Sequence, residues 1–273
     1  MSPDMANCPD YDSANGTTVK SYCQTFEQNN RIFYDKSLYL TACQRSNRSE
    51  EVSQFIQLLL DCNGSEAREL YESIDHKFPV YLTRSVDKAK TKLRSRREEL
   101  VNRESCLGNI EDSEAVRIGI LMSSKAERLR PLGFEVRKVS EFLSKIDKWF
   151  LESGSNVLSS NFLEIAVNEF FVQGLELDLC ALIWDADFRY NPSTNSWDYF
   201  NFNGTEWRPI KEETDTQIIK RLYLKNAYRV LLTRARAGLI IVVPEGSDVD
   251  QTRSPELYND TFNYLKSLGL REL

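Results

Sequence analysis

Two short segments carry side chains suited to meeting a charged ligand. One is Phe170-Phe171-Val172-Gln173-Gly174-Leu175-Glu176-Leu177-Asp178. The other is Asn226-Ala227-Tyr228-Arg229-Val230-Leu231-Leu232-Thr233-Arg234-Ala235-Arg236. Each borders a run of residues suited to a buried strand, and an open α/β sheet holds its ligands beside such strands. Gly174 lets a backbone approach closely. Arg234 and Arg236 end a helical stripe. Cations placed against charge that builds up in the transition state are the main requirement of phosphoryl transfer. The same arginines also sit where a cation offsets the dipole of a helix C-terminus, by about 0.3–1 kcal/mol. Glu176 and Asp178 serve equally as solvated turn residues, and Gly174 as a hinge.

Other chemistries are excluded by what the chain lacks. A Walker A loop needs two glycines separated by four residues, followed by Lys and Ser or Thr. No pair among the 11 glycines has that spacing, and there is no GxGxxG. The single histidine, His76, lies in the charged stretch Glu72–Lys77, which removes HExxH and leaves no good base for a Ser-His-Asp triad. The six cysteines (Cys8, Cys23, Cys43, Cys62, Cys106, Cys180) contain no CxxC pair. Neither a zinc site nor a disulfide framework is expected, and a reducing, cytoplasmic setting is. Asp185 and Asp187 follow an apolar run and form a pair able to hold Mg²⁺. The net charge of −6 gives no global basic signature, so any nucleic-acid contact must be a local patch. The cationic run from Lys88 to Arg103 is diluted by Asp87, Glu98 and Glu99 and reads as a solvated helix face. No apolar run is long enough to cross a membrane.

The elements that must position these residues follow from periodicity. Residues 1–37 are polar and read as a loop or mobile terminus. Strands are predicted at Ser37–Cys43, Pro79–Thr83, Val116–Met122, Leu163–Phe170, Leu179–Trp184 and Leu239–Val243. Helices are predicted at about 49–60, ended by Gly64, then at Glu66–Lys77, Val86–Glu104, Lys125–Arg130, Phe142–Leu151, Asp215–Arg234 and Pro255–Leu268. Residues 186–210 interleave aromatics with Asn, Pro, Ser and Gly. They read as a small β-hairpin insertion whose aromatics either form a local core or stack bases. Alternating strands and helices imply a mostly parallel sheet between helical layers.

Taken together, these segments resemble conserved motifs of superfamily 1 DNA/RNA helicases. Val172–Asp178 resembles motif V, Tyr228–Arg236 motif VI, and Leu40–Ser46 motif IV. The stretches Ser123-Ser124, Arg128-Leu129, Trp184–Tyr190 and Val243–Gly246 resemble the Schlafen-group-3-like DNA/RNA helicase family of bacteria, over about residues 38–270. The resemblance implies a RecA-like domain of the P-loop NTPase type, spanning 38–273 and corresponding to the second half of the enzyme. It implies that Arg234 is an arginine finger and Arg45 a second phosphate-facing arginine. Gln173, Gly174, Glu176 and Arg236 would meet the nucleotide, with Glu176 on the ribose. Ser123, Ser124 and Arg128 would meet nucleic acid. ATP and Mg²⁺ would bind only when an N-terminal RecA-like half, in cis or trans, brings the Walker motifs. The chain alone is expected not to hydrolyse ATP. A non-catalytic nucleic-acid- or protein-binding module derived from a helicase is the alternative.

Overall fold

The structure, a computed structural model, describes residues 48–106, 116–136, 139–152 and 155–273. The predicted strand Ser37–Cys43, the polar segment 1–37, and Arg45 lie outside the described residues. In chain order the elements are α1 (Arg48–Leu60), α2 (Gly64–Ile74), β1 (Val80–Thr83), α3 (Val86–Cys106) and β2 (Ile118–Met122). Then come α4 (Val139–Phe142), α5 (Ile146–Leu151), β3 (Ala166–Val167), β4 (Leu177–Ile183), β5 (Phe188–Asn191), β6 (Ser196–Phe202) and β7 (Trp207–Pro209). The chain closes with α6 (Asp215–Leu232), β8 (Ala235–Val242), α7 (Glu256–Ser267) and β9 (Arg271–Glu272).

Six strands form one sheet in the order β3-β2-β4-β8-β1-β9, and every neighbouring pair is parallel. Side chains alternate between two cores, as the pleat requires. Leu82, Cys180, Leu182, Leu239 and Ile241 pack on one face, with Trp149, Trp184, Tyr228, Tyr258 and Leu265. Tyr81, Leu179, Ala181, Ile183, Ile240 and Val242 pack on the other, with Ala89, Leu93 and Leu129. Burial on both faces is why β4 and β8 read as unbroken apolar runs. The result is the three-layer, RecA-like α/β arrangement expected of this pattern. No helix among the described residues is long and apolar enough to cross a membrane.

Several local expectations need revision. Gly64 opens α2 rather than ending α1; the break is made by Cys62, whose φ is 59°. The predicted strand Leu163–Phe170 shrinks to Ala166–Val167. Leu163 takes φ 64°, and the Asn168 side chain accepts from the Phe170 amide, turning the chain away. The segment after Ser124 is a 3₁₀ helix, Glu127–Leu132, that includes Pro131 and ends at left-handed Gly133. The predicted helix Phe142–Leu151 is interrupted by a 3₁₀ turn at Leu143–Lys145. The insertion is a three-stranded meander, β5-β6-β7, rather than a single hairpin.

Candidate functional site

The sheet sorts the predicted site residues to its two ends. Gln173–Glu176 immediately precede β4, and Arg234 immediately precedes β8, so this group lies at the amino ends of two adjacent strands. Ser123, Ser124, Arg128, Asp185 and Asp187 follow the carboxyl ends of β2 and β4. Seven residues of β4 separate the two groups. At roughly 3.3 Å per residue, that is far beyond any side chain's reach. A single site at the carboxyl ends, the usual place in such sheets, therefore does not hold all the predicted residues.

At the amino end, helix α6 delivers Arg234. Thr214 caps the start of α6, its side chain accepting from the Gln217 amide. At the other end of α6, the Thr233 hydroxyl donates to the carbonyls of Arg229 and Val230. The Arg234 carbonyl then accepts from the Leu177 amide at 3.0 Å, joining the two motif segments through the backbone. The half-buried Arg234 guanidinium bridges them a second time. Its Nε donates to Val230 O at 3.0 Å, and its Nη1 to Val172 O at 3.3 Å and Leu175 O at 3.4 Å. Gln173 and Gly174 are exposed beside it and Glu176 is half-buried. Gly174 has φ +86°, and a Cβ there would meet nothing within 4 Å. Backbone conformation, not crowding, is what calls for glycine. Arg236 is exposed and paired with Asp178 at 2.7 Å; Asp178 also accepts from the Arg117 amide at 2.7 Å. The structure thus brings Gln173, Gly174, Glu176 and Arg234 together and sets Arg236 one turn of the pleat away, in an ion pair between β4 and β8.

At the carboxyl end the polar residues turn inward. Ser123 is fully buried, and its hydroxyl accepts from the Lys125 amide. Ser124 donates to Glu169 through both its amide (2.9 Å) and its hydroxyl (2.5 Å). Arg128 pairs with Asp250 at 2.7 Å and lies over the Phe202 ring. Ser124 and Arg128 reach the surface; Ser123 does not. Asp185 accepts from the Ala186 and Arg128 amides and from the Tyr258 hydroxyl. Asp187 accepts from the Tyr228 hydroxyl at 2.6 Å, and its Oδ2 is buried with no hydrogen-bond partner. Burial, reinforced by the neighbouring Asp185 charge, pushes the Asp187 carboxyl up to about 7. Burial also raises Asp185. Both carboxylates are buried, Asp185 under two backbone amides and the Tyr258 hydroxyl and Asp187 under the Tyr228 hydroxyl, so neither faces the surface as a solvent-loaded ion site would require.

Two of the insertion's aromatics, Phe188 and Trp197, are buried, while Tyr190, Tyr199, Phe200, Phe202 and Trp207 stay partly exposed. Phe188 and Trp197 stack with each other and with Trp184, Tyr228 packs tilted against Trp184 and Phe188, and centroid separations of 4.4–5.8 Å make a local core that ties the meander to α6. Sequence reasoning overlooked Glu169, Arg84 and the buried Arg253. Glu169 and Arg84 follow β3 and β1 closely, a signal that was available. Nothing local marks Arg253 as interior.

No curated protein and no solved structure matches the chain. The model of the Schlafen group 3 DNA/RNA helicase domain matches residues 13–245, most of the length, and the chain belongs to that family.

Proposed function

We propose that this chain is the second RecA-like half of a nucleic-acid-dependent ATPase, with Arg234 as the arginine finger presented to a nucleotide gripped by a Walker-bearing half. One observation carries the reading. Two segments about 60 residues apart converge so that the half-buried Arg234 and Glu176 lie beside the exposed Gly174. The Nη1 of the guanidinium makes two long carbonyl contacts, of 3.3 and 3.4 Å, beside the 3.0 Å bond from its Nε to Val230 O. Hydrogen bonds of that length are weak, and a charge-assisted bond to a phosphate is about twice as strong as a neutral one. The Val172 and Leu175 carbonyls therefore act as a rest position for Nη1, which is exchanged onto a γ-phosphate when the cleft closes, while Nε stays on Val230. Glu176 accepts from the ribose, and exposed Gly174 and Gln173 permit close approach of the phosphates. The sequence holds no P-loop, and in this reading ATP and Mg²⁺ are held by the other half.

The test is phosphate release by the purified chain, by a Walker-bearing half, and by their mixture, with and without DNA or RNA. The expected result is negligible turnover alone and nucleic-acid-stimulated turnover in the mixture. Robust hydrolysis by the chain alone would overturn the proposal. A second reading draws on the same contacts: the carbonyls already engaged by Arg234 suit a structural role, and hence a binding module without catalysis. Arg234→Ala separates the two. A finger loses turnover in the mixture while nucleic-acid binding persists; a structural arginine loses stability and binding together.

A further inference from the structure

A crevice at the carboxyl ends of β1 and β8 belongs to neither group described above. The connections leaving these adjacent strands run in opposite directions. From β1 the chain passes through α3, on one face, towards β2; from β8 it passes through α7, on the other face, to β9. Such a reversal opens a gap beyond the strand ends, which is where open α/β sheets bind ligands. Here the gap is a cavity of about 470 Å³ whose walls include Arg84, Lys90, Pro244, Gly246 and Arg253.

Its chemistry is that of an anion site. Helix α3, 21 residues long, points its amino end into it. Ser85 caps that helix, accepting from the Lys88 amide, while the Val86 and Asp87 amides have no intrahelical acceptor. Arg253 is buried, with 7% exposure, and its Nε carries no hydrogen bond. It lies near Asp185 and Tyr258, whose titration it influences. Arg84 is held over the Phe262 ring by donating to Pro244 O and Asn259. Lys90, from the second turn of α3, also pairs with Glu164. Gly246 builds the far wall: it has φ +87°, and a Cβ there would lie 2.4 Å from the Arg253 carbonyl. Only glycine lets that loop close on Arg253. Two carboxylates, Asp87 and Glu245, line the same gap. Asp87 and Glu245 in the lining, Glu164 on Lys90 and Asp185 near Arg253 offset much of the positive charge, so the crevice suits a singly charged phosphodiester better than a triphosphate.

We propose that this crevice binds one backbone phosphodiester of a nucleic-acid strand through the amino end of α3, Lys90 and the two arginines. Recognition of a phosphate rests on the crevice alone; its assignment to a nucleic-acid strand rests on the helicase reading. The test is amide NMR of the full chain during titration with a short oligothymidylate and, separately, with inorganic phosphate. Oligothymidylate is expected to shift the Val86 and Asp87 amides. Lys90→Gln should weaken binding and lower the slope of log affinity against log salt by about one. Asp87→Asn should tighten binding by removing a competing charge, an effect opposite to that of simple structural damage. Shifts with inorganic phosphate but none with oligothymidylate would overturn the nucleic-acid assignment. No shift with either probe, or weaker binding by Asp87→Asn, would overturn the site itself. Intact shifts without partner-dependent ATP turnover would count against the ATPase reading and leave the crevice standing.

Discussion

Three residues show how much of a role depends on surroundings rather than type. Arg234 is an ordinary helix-end cation until the Val172 and Leu175 carbonyls bring it to the Glu176 loop. Arg234→Ala is expected to lower turnover in the reconstituted mixture by about a thousandfold or more, the usual worth of a finger, as measured by phosphate release. Arg234→Lys should not rescue it, since one ammonium cannot span two segments as a guanidinium fork does. Asp187 differs from a surface carboxylate because burial and Asp185 lift it to about 7. A raised folded value means that its protonated form favours the fold. That stability is fully present below about pH 4, the unfolded value, and is lost as pH rises through about 7. Asp187→Asn should therefore flatten the fall in stability over this window, as followed by chemical denaturation at a series of pH values. Two glycines make a matched pair. Gly174→Ala meets open space and pays only for a left-handed backbone, about 1–2 kcal/mol. Gly246→Ala adds a collision with the Arg253 carbonyl and should cost more. Thermal melts of the two variants compare them directly.

The elements are held by burial on both faces of the sheet. Leu182 on β4 is fully buried and opposes Leu121 and Ile241 on the flanking strands. Leu182→Ala should cost about 2–5 kcal/mol by denaturant unfolding. Thr214→Ala removes only a cap and should cost about 1 kcal/mol. Helix α6 is central because it serves both ends of the sheet. Tyr228 reaches the Asp187 carboxylate, while Arg234, just past the last turn, donates to the Val172 and Leu175 carbonyls. The longer helices and the central strands were legible because periodicity is local, whereas the stop placed at Gly64 was not, because Cys62 makes the break. The short β3, the interrupted α4–α5 segment and the third strand of the meander were not. Their lengths depend on side chains such as Asn168 and on packing partners distant in sequence.

Across the whole molecule, the charge of −6 makes nucleic-acid affinity a property of patches rather than of the global field. Added salt should weaken oligothymidylate binding with a shallow slope set by a few phosphate contacts, which a salt titration measures. The sequence by itself determined the family, the α/β alternation and the absence of a P-loop from this chain. All of these are written in short contiguous runs, where spacing and residue type suffice. Only the tertiary structure decided that the predicted residues divide between opposite ends of the sheet, that Ser123 and the Asp185–Asp187 pair lie inside, and that Arg253 lines a crevice. Strand order is the reason. Placing β8 between β4 and β1 sets Pro244 beside Arg84, 160 positions apart, and closes the Gly246 loop over an arginine. Such proximity arises from burial of apolar surface across the entire sheet, and no local pattern records it.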